Sequence, residues 1–434
     1  MRYRQRVVYR NTRRMSKAGL LIALIGAFGL SGCGDIFDVT NPGQIQDQDL
    51  NRLDAIPPLV TGISADYSVF RASSAIRGAY IGDEVVGSTS GPVGRDQERG
   101  LVRAEDVNGQ WNDVQRARFA AEDGIRRMQE VMQGDFENSA LAARAHVFAT
   151  LANLGFGESW CEVVFEGGPA LPRSAAFERS LEWVQRGIPI AERTGSANFR
   201  LAMIGASATA HLWLGNGSAA VAAAAQIPTE FVFNAVYSAN SLREENAWEN
   251  ETHNRQNTSL FNTRADRVPQ DPRAPYTDCV AFEERCVSNV GSDGTTPFLR
   301  AEKFPTRSAP IPAVTGREMR LIEAEVAIMN GNVSLAIEKM NAVRALFSGL
   351  EMIDPADYPA VAASSFDKDD PVWRLLDEER FFGLWLEGKR LGDLHRWNHP
   401  FLDGGRLVLE PLPRRASCIP ISLNELQTNP NLSP

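Results

Sequence analysis

The chain has 434 residues, 43% of them hydrophobic and 23% charged, which provides for a sizeable core and excludes whole-chain disorder. A net charge of −9 excludes the broad basic face that a nucleic acid needs. The longest apolar run, Leu20 to Leu30, is about half of the ~20 residues that span a bilayer, so a polytopic membrane protein is excluded as well.

The charge is unevenly spread. Residues 1–32 carry seven basic side chains and no acid, and removing them takes the net charge from −9 to −16. A basic start, a short apolar run and then Leu30-Ser31-Gly32-Cys33 form a secretory leader that ends at a lipidation site. The Cys33 thiol is the chemically necessary part, because it carries the thioether to the lipid. Several buried acyl chains hold a protein on a membrane without a spanning helix. The polar stretch from Gly34 to Asp49 then reads as a tether.

Helical periodicity dominates the rest of the chain. Helices are predicted over Trp111–Met132, Asn138–Leu154 and Leu181–Glu192, with Pro189 kinking or ending the last. Residues 199–226 read as helix, Gly215-Asn216-Gly217, helix. Residues 317–347 repeat the pattern around Asn330-Gly331-Asn332. In the second unit Met319, Ile322, Val326 and Met329 form one apolar stripe, and Ala336, Met340, Val343 and Phe347 the facing one. A left-handed Gly or Asn is what a helix end needs to reverse the chain, so both units are helical hairpins of tetratricopeptide type. Residues 82–108 and 232–315 are instead rich in Gly, Pro, Asn, Asp and Thr, and read as ordered, ligand-facing loops.

Beyond Cys33 four cysteines remain. In an exported chain an even number favours disulfides, with Cys279–Cys286 as the first choice and Cys161–Cys418 as the other. A zinc site and free buried thiols are the competing readings. The zinc site is weak, since there is no C-x₂-C pair and the five histidines are scattered. No catalytic motif stands out. Gly215-Asn-Gly217-Ser-Ala-Ala220 matches a dinucleotide fingerprint, but it follows a helix where that chemistry needs a strand. The acid-rich helix Asp377–Trp397 offers three carboxylates, Glu379, Glu387 and Asp393, that could supply a pair for glycoside hydrolysis. Each acid there has a basic neighbour at helical spacing: Glu387 faces Arg390, and Asp393 faces Lys389, Arg390 and Arg396. The segment therefore reads as a semi-buried ion network.

The same residues carry a family resemblance. The run Glu379-Arg380-Phe-Phe-Gly383-Leu384-Trp-Leu-Glu387-Gly388-Lys-Arg390-Leu-Gly-Asp393-Leu394-His-Arg396-Trp397 resembles the signature helix of the SusD/RagB family, with Gly383 where the family has Glu. Ile419-Pro420-Ile421-Ser422 through Asn429-Pro430-Asn431-Leu432 resembles that family's closing segment, and Ile81-Gly82-Asp83-Glu84 also fits. The resemblance implies a mostly α fold: tetratricopeptide-like hairpins in a right-handed α-α superhelical scaffold, with long loops and minor β. It implies a leader over 1–32, a lipidated tether over 33–50 and one SusD-like domain over 51–434, with 232–315 as a loop-rich insertion. It further implies an outer-membrane lipoprotein facing the cell exterior, which binds an oligosaccharide or a peptide and hands it to a SusC-like TonB-dependent barrel. Catalysis, cofactor and metal are not expected, and the motif residues Glu379, Arg380, Glu387, Gly388, Arg390, Asp393, Arg396 and Trp397 are scaffold.

Sugar recognition needs flat apolar faces and planar polar groups. Aromatics within the loop-rich stretches are the candidates: Tyr80, Trp248 and Tyr276, with Asp83, Arg95 and Asn246 as polar companions. The competing functions are a surface glycoside hydrolase and a purely structural envelope protein. Replacing Cys33 with serine is expected to release the protein from membrane fractions; a Cys33→Ser variant that still sediments with lipid removes the anchor.

Overall fold

The computed structural model describes residues 47–268, 271–403 and 415–432. The leader, Cys33 and the tether up to residue 46 lie outside the described residues. The frame begins with a helix that periodicity does not reveal, α1 (Ile56–Ile81). Its buried face mixes Val60, Tyr67 and Phe70 with Ser64, Asp66, Arg71 and Ser74, so no continuous apolar stripe marks the helical period. α2 (Asn108–Met132), α3 (Ala140–Ser159) and α4 (Ser174–Arg193) come next, each packed on the one before, with α1 against α2 and α3. Ser139 caps α3 by accepting from the Ala142 amide. Tyr67, Phe70, Trp111, Phe148, Phe156 and Trp160 fill the core between them. α4 runs on through Pro189 instead of stopping there. Gln185, whose carbonyl loses its amide donor to the proline ring, is exposed and can be hydrated.

The two hairpins appear where the sequence places them. α5 (Ala197–Trp213) and α6 (Gly217–Ala224) turn at Gly215, and α7 (Gly316–Met329) and α8 (Val333–Arg344) turn at Gly331, with φ of 76° and 74°. Such angles cost a residue with a Cβ and cost glycine little. The hairpins meet along α6 and α7, where Ile204, Ala208, Ala220, Met319 and Ile322 share one small core. The Met319 stripe ends at Val326; Met329 is exposed at the helix end, beyond the reach of the partner helix.

Residues 232–315 are ordered by short antiparallel ladders. β1 (Val86–Gly87) pairs with β5 (Thr258–Ser259), and β4 (Val232–Ala235) with β8 (Ile311–Thr315). β2 (Glu162–Val163) pairs with β3 (Leu171–Pro172), and β6 (Tyr276–Asp278) with β7 (Leu299–Ala301). Both favoured disulfides are present, Cys161–Cys418 and Cys279–Cys286. The first sits where the closing segment lies along the end of α3: Cys161 N donates to Ile419 O, and Ile419 N to Ser159 O, both at 2.9 Å.

The Asp377–Trp397 segment is not one helix. α9 (Pro371–Gly383) ends, Leu386 and Gly388 take φ of 56° and 71°, and α10 (Arg390–Arg396) starts afresh. A Cβ on Gly388 would stand 2.9 Å from the Ala75 backbone of α1, so the close approach of the two chains requires glycine. At Gly383 a Cβ would meet only the apolar side chains of Leu321 at 3.3 Å and Val343 at 3.6 Å.

The Cys161–Cys418 bridge closes a loop of sequence separation 257, against 7 for Cys279–Cys286. Removing the first as a double Cys→Ala variant is expected to cost about 2–5 kcal/mol in chemical denaturation, and removing the second clearly less. Equal losses would show that the long bridge does not restrain the unfolded chain.

Candidate functional site

The acid-rich segment was the sequence's one catalytic candidate, and breaking the helix changes its partners. Glu387 meets Lys303 Nζ at 2.7 Å and Arg317 Nη2 at 2.8 Å, not Arg390. Asp393 is held by Arg380 at 2.8 Å and Arg396 at 2.9 Å. Lys389 reaches Glu158 and Glu318, each at 2.9 Å. Glu379 lies between Arg273 and Arg344. Arg390 grips Asp83 at 2.6 and 2.8 Å and also pairs with Asp377. Trp397 donates its indole N–H to Glu325 at 2.9 Å.

Asp83, Asp377, Glu387 and Asp393 are held in the ionised form by these cations. Burial pushes Asp83 up, but the charge and hydrogen bonds of Arg390, with Arg264 behind it, leave it at about 2. For Asp377 burial is again outweighed, by Arg390 and Arg264, and the group stays well below the usual carboxylate range. Burial raises Glu387 and Asp393 too, and the cations Arg317 and Lys303, or Arg380 and Arg396, bring both below normal. A carboxylate held this way is a poor proton donor. Glu84 behaves in the opposite way: burial raises it to about 8, against a single hydrogen bond from Leu386 N at 2.6 Å. It is 0% exposed and lines neither of the two open cavities beside α1. Among the described residues no group of three His, Cys, Asp or Glu side chains is placed to hold a metal.

The larger of these cavities is a solvent-open cleft of about 490 Å³ along the outer face of α1. The helix contributes Val69, Ala72, Ser73, Ile76, Arg77 and Tyr80, at the spacing of one helical face. The turn at Thr89 to Gly94 forms a second wall, α2 adds Gln110 and Asp113, and the segment from Leu242 to Asn257 forms the third. Tyr80 donates its hydroxyl to Asn257 O at 3.1 Å. Glu251 accepts from Asn257 Nδ2 at 2.9 Å and from Arg255 at 3.4 Å. Arg77 donates to Gln97 Oε1 at 2.6 Å, and burial lowers its basicity. A second cavity of about 270 Å³ continues toward the start of α1 and shares Val69 and Arg243 with the first.

Of the six ligand candidates read from the sequence, the structure brings Tyr80 to the cleft, with its ring 3% exposed. Asp83 is the buried partner of Arg390. Trp248 is 0% exposed and stacks on Phe304, because it faces the apolar core under the loops. Asn246 is equally buried; it caps the turn at Trp248 and donates to Ala309 O at 2.7 Å. Arg95 is exposed beside the cleft, with its Nη2 3.4 Å from Ser90 O. Tyr276 is half-buried on β6 and lines neither cavity. The sequence missed Arg77, Gln110, Asp113, Arg243, Glu251 and Asn257. For Arg77 the available signal was Ser73 four residues before it on α1; the other five lie on α2 and the segment from Leu242 to Asn257 and carried none.

No protein-family model matches the chain, and no curated protein matches it in sequence. Solved structures match it over most of its length. The surface glycan-binding protein A of Bacteroides thetaiotaomicron, in complex with laminarihexaose, superposes with a TM-score of 0.62 at 12% identity, over 88% of this chain and 99% of that one. A laminarin-binding SusD-like protein gives 0.58 at 15% identity, over 86% and 97%. A SusD/RagB family protein of Bacteroides thetaiotaomicron gives 0.59 at 13%, over 86% and 94%. The fold is that of the SusD/RagB family, mostly helical with tetratricopeptide-like hairpins.

Glu84 has a consequence for stability that pH exposes. Its folded pKa of about 8 lies above the ~4.3 of an unfolded glutamate, so the folded chain binds the extra proton between those values and loses stability as pH rises through that window. Glu84→Gln keeps an acceptor for Leu386 N and removes the titration. The variant is expected to gain on the parent in thermal melts as pH goes from 5 to 9; a constant difference would mean that Glu84 is ionised in the folded protein.

Proposed function

We propose that this protein is a lipid-anchored, outward-facing lipoprotein of the outer membrane that captures an oligosaccharide in the cleft on α1. It passes the ligand, chemically unchanged, to a SusC-like TonB-dependent barrel. The observation that carries this reading is an open cleft of about 490 Å³ set into a SusD-like scaffold. Three further features support it. Cys33 ends a lipoprotein-type leader, and among the described residues no helix is long and apolar enough to cross a membrane. The cleft is lined by hydroxyl, amide and charged groups that suit a ring of hydroxyls. The carboxylates that could have served hydrolysis are buried and matched with cations.

The mechanism is capture and hand-over. α1 and the two loop walls fix the polar groups, and the tether after Cys33 gives the domain room to swing over its partner. Titration calorimetry against a panel of neutral and acidic oligosaccharides, with chromatography of the same mixtures, tests it. Saturable binding without new products is expected. Product formation, or binding of no glycan while a peptide is bound, would overturn the reading.

A further inference from the structure

The cleft is short of the flat face on which neutral sugars stack. Tyr80 is the one aromatic in its lining, and that ring is covered. What the cleft offers is charge, and the charge is unbalanced in one place. Asp113 is paired with Arg116 at 2.8 Å, Glu251 is held by Asn257 and Arg255, and Glu245 lies 3.6 Å from Arg307. Arg77 has no carboxylate partner among the described residues. Its guanidinium is held by neutral carbonyl oxygens alone: Gln97 at 2.6 Å and, with the Gln110 amide turned to satisfy both its ends, Gln110 at 3.0 and 3.2 Å. A guanidinium has five N–H donors, so two remain on the two Nη atoms. The carboxylates of Glu251 and Asp106 act on Arg77 only through space, so this half-buried cation has lost hydration without gaining a directly paired counter-charge.

The second cavity repeats the feature. Its α1 wall consists of Thr61, Ser64, Ala65, Ser68 and Val69, and Arg144 of α3 stands opposite. Arg144 makes no hydrogen bond or ion pair among the described residues; its guanidinium lies over the Phe148 ring at 5.8 Å. Between the cavities Arg243 is anchored on Asp66 at 2.6 Å. From Thr61 to Tyr80 the groove follows about 28 Å of helix at 1.5 Å per residue. That suits an extended chain better than a single small molecule.

We propose that this groove takes a linear acidic oligosaccharide with uronate-type carboxylates along its length, one seated on Arg77 and another on Arg144. The assignment rests on the proposed glycan binding and adds the class of glycan. A carboxylate supplies the counter-charge that Arg77 lacks and accepts its two spare N–H donors, and the Ser, Thr, Asn and Gln side chains around it meet ring hydroxyls.

The test uses the mature chain and calorimetry with six-unit oligomers of galacturonate, mannuronate and glucuronate, their methyl esters, laminarihexaose, cellohexaose and hexaglutamate. At least one uronate is expected to bind, its methyl ester about ten- to a hundred-fold more weakly, and Arg77→Gln with a similar loss. Arg77→Lys keeps the charge without the fork and is expected to fall between. Arg144→Gln is expected to weaken the six-unit chain and leave a two-unit one unchanged. Thermal melts confirm that the variants fold, and the ester series needs no variant at all. Equal binding of acid and ester, or neutral glycans bound while no uronate is, overturns the acidic class and leaves glycan binding standing. Preference for hexaglutamate overturns the sugar assignment. Binding of no glycan, neutral or acidic, removes the parent reading as well.

Discussion

Arg390 is the constraint on which the fold turns. Its guanidinium sits in the interior between Asp83, which follows the end of α1, and Asp377 on α9. Each charge alone would be costly to bury, and together they satisfy one another. The geometry of the match is demanding, because the planar fork meets the Asp83 carboxylate in one orientation only. That requirement explains the broken helix. Were residues 377–397 one continuous helix, Glu387, Lys389 and Arg390 could not reach Lys303, Glu158 and Asp83 on three different elements. The left-handed Leu386 and Gly388 redirect the chain so that they can, and Gly388 also lets it lie against Ala75.

Electrostatics divides the molecule into two regions with opposite character. On the inner side of α1 most acids are matched with bases, and Asp83, Asp377, Glu387 and Asp393 are held in their charged forms, with Glu84 the exception. On the outer side, at the cleft, Arg77 is left with amide oxygens alone. A matched interior is stiff and chemically quiet, whereas an unmatched cation at a solvent-open wall is available to a guest. The same helix serves both ends, since Arg71 is buried and donates to Pro312 O while Arg77 faces the cleft.

What the sequence discloses is local, and what it hides is long-range. The Gly215 and Gly331 turns were legible because a left-handed residue between two apolar stripes has one common use. The cysteine pairing was legible because four thiols allow three pairings and two of them lie only seven residues apart. The ion network was legible as a network, but its pairings were not, because Asp83, Glu158, Lys303 and Arg317 lie far away in the chain. α1 escaped notice because its buried face carries Ser64, Asp66, Arg71 and Ser74 among the apolar residues, which breaks the stripe that reveals a helix. Trp248 and Asn246 were read as ligand contacts from their loop setting, yet the ladders around them close a second core of Tyr80, Trp248, Phe304 and Trp385. Loop composition says that a segment is irregular; it does not say which side chains the irregular backbone turns inward.

The clamp between the two ends of the chain also dictates an order of events. Asp83 and Arg390 lie 307 residues apart, and Cys161 waits for Cys418. A chain delivered from its N-terminus can assemble its early hairpins at once, but Asp83 at the exit of α1 lacks its two-pronged partner until Arg390 arrives, with only the more distant Arg264 made before it. Such distant closure slows the final step.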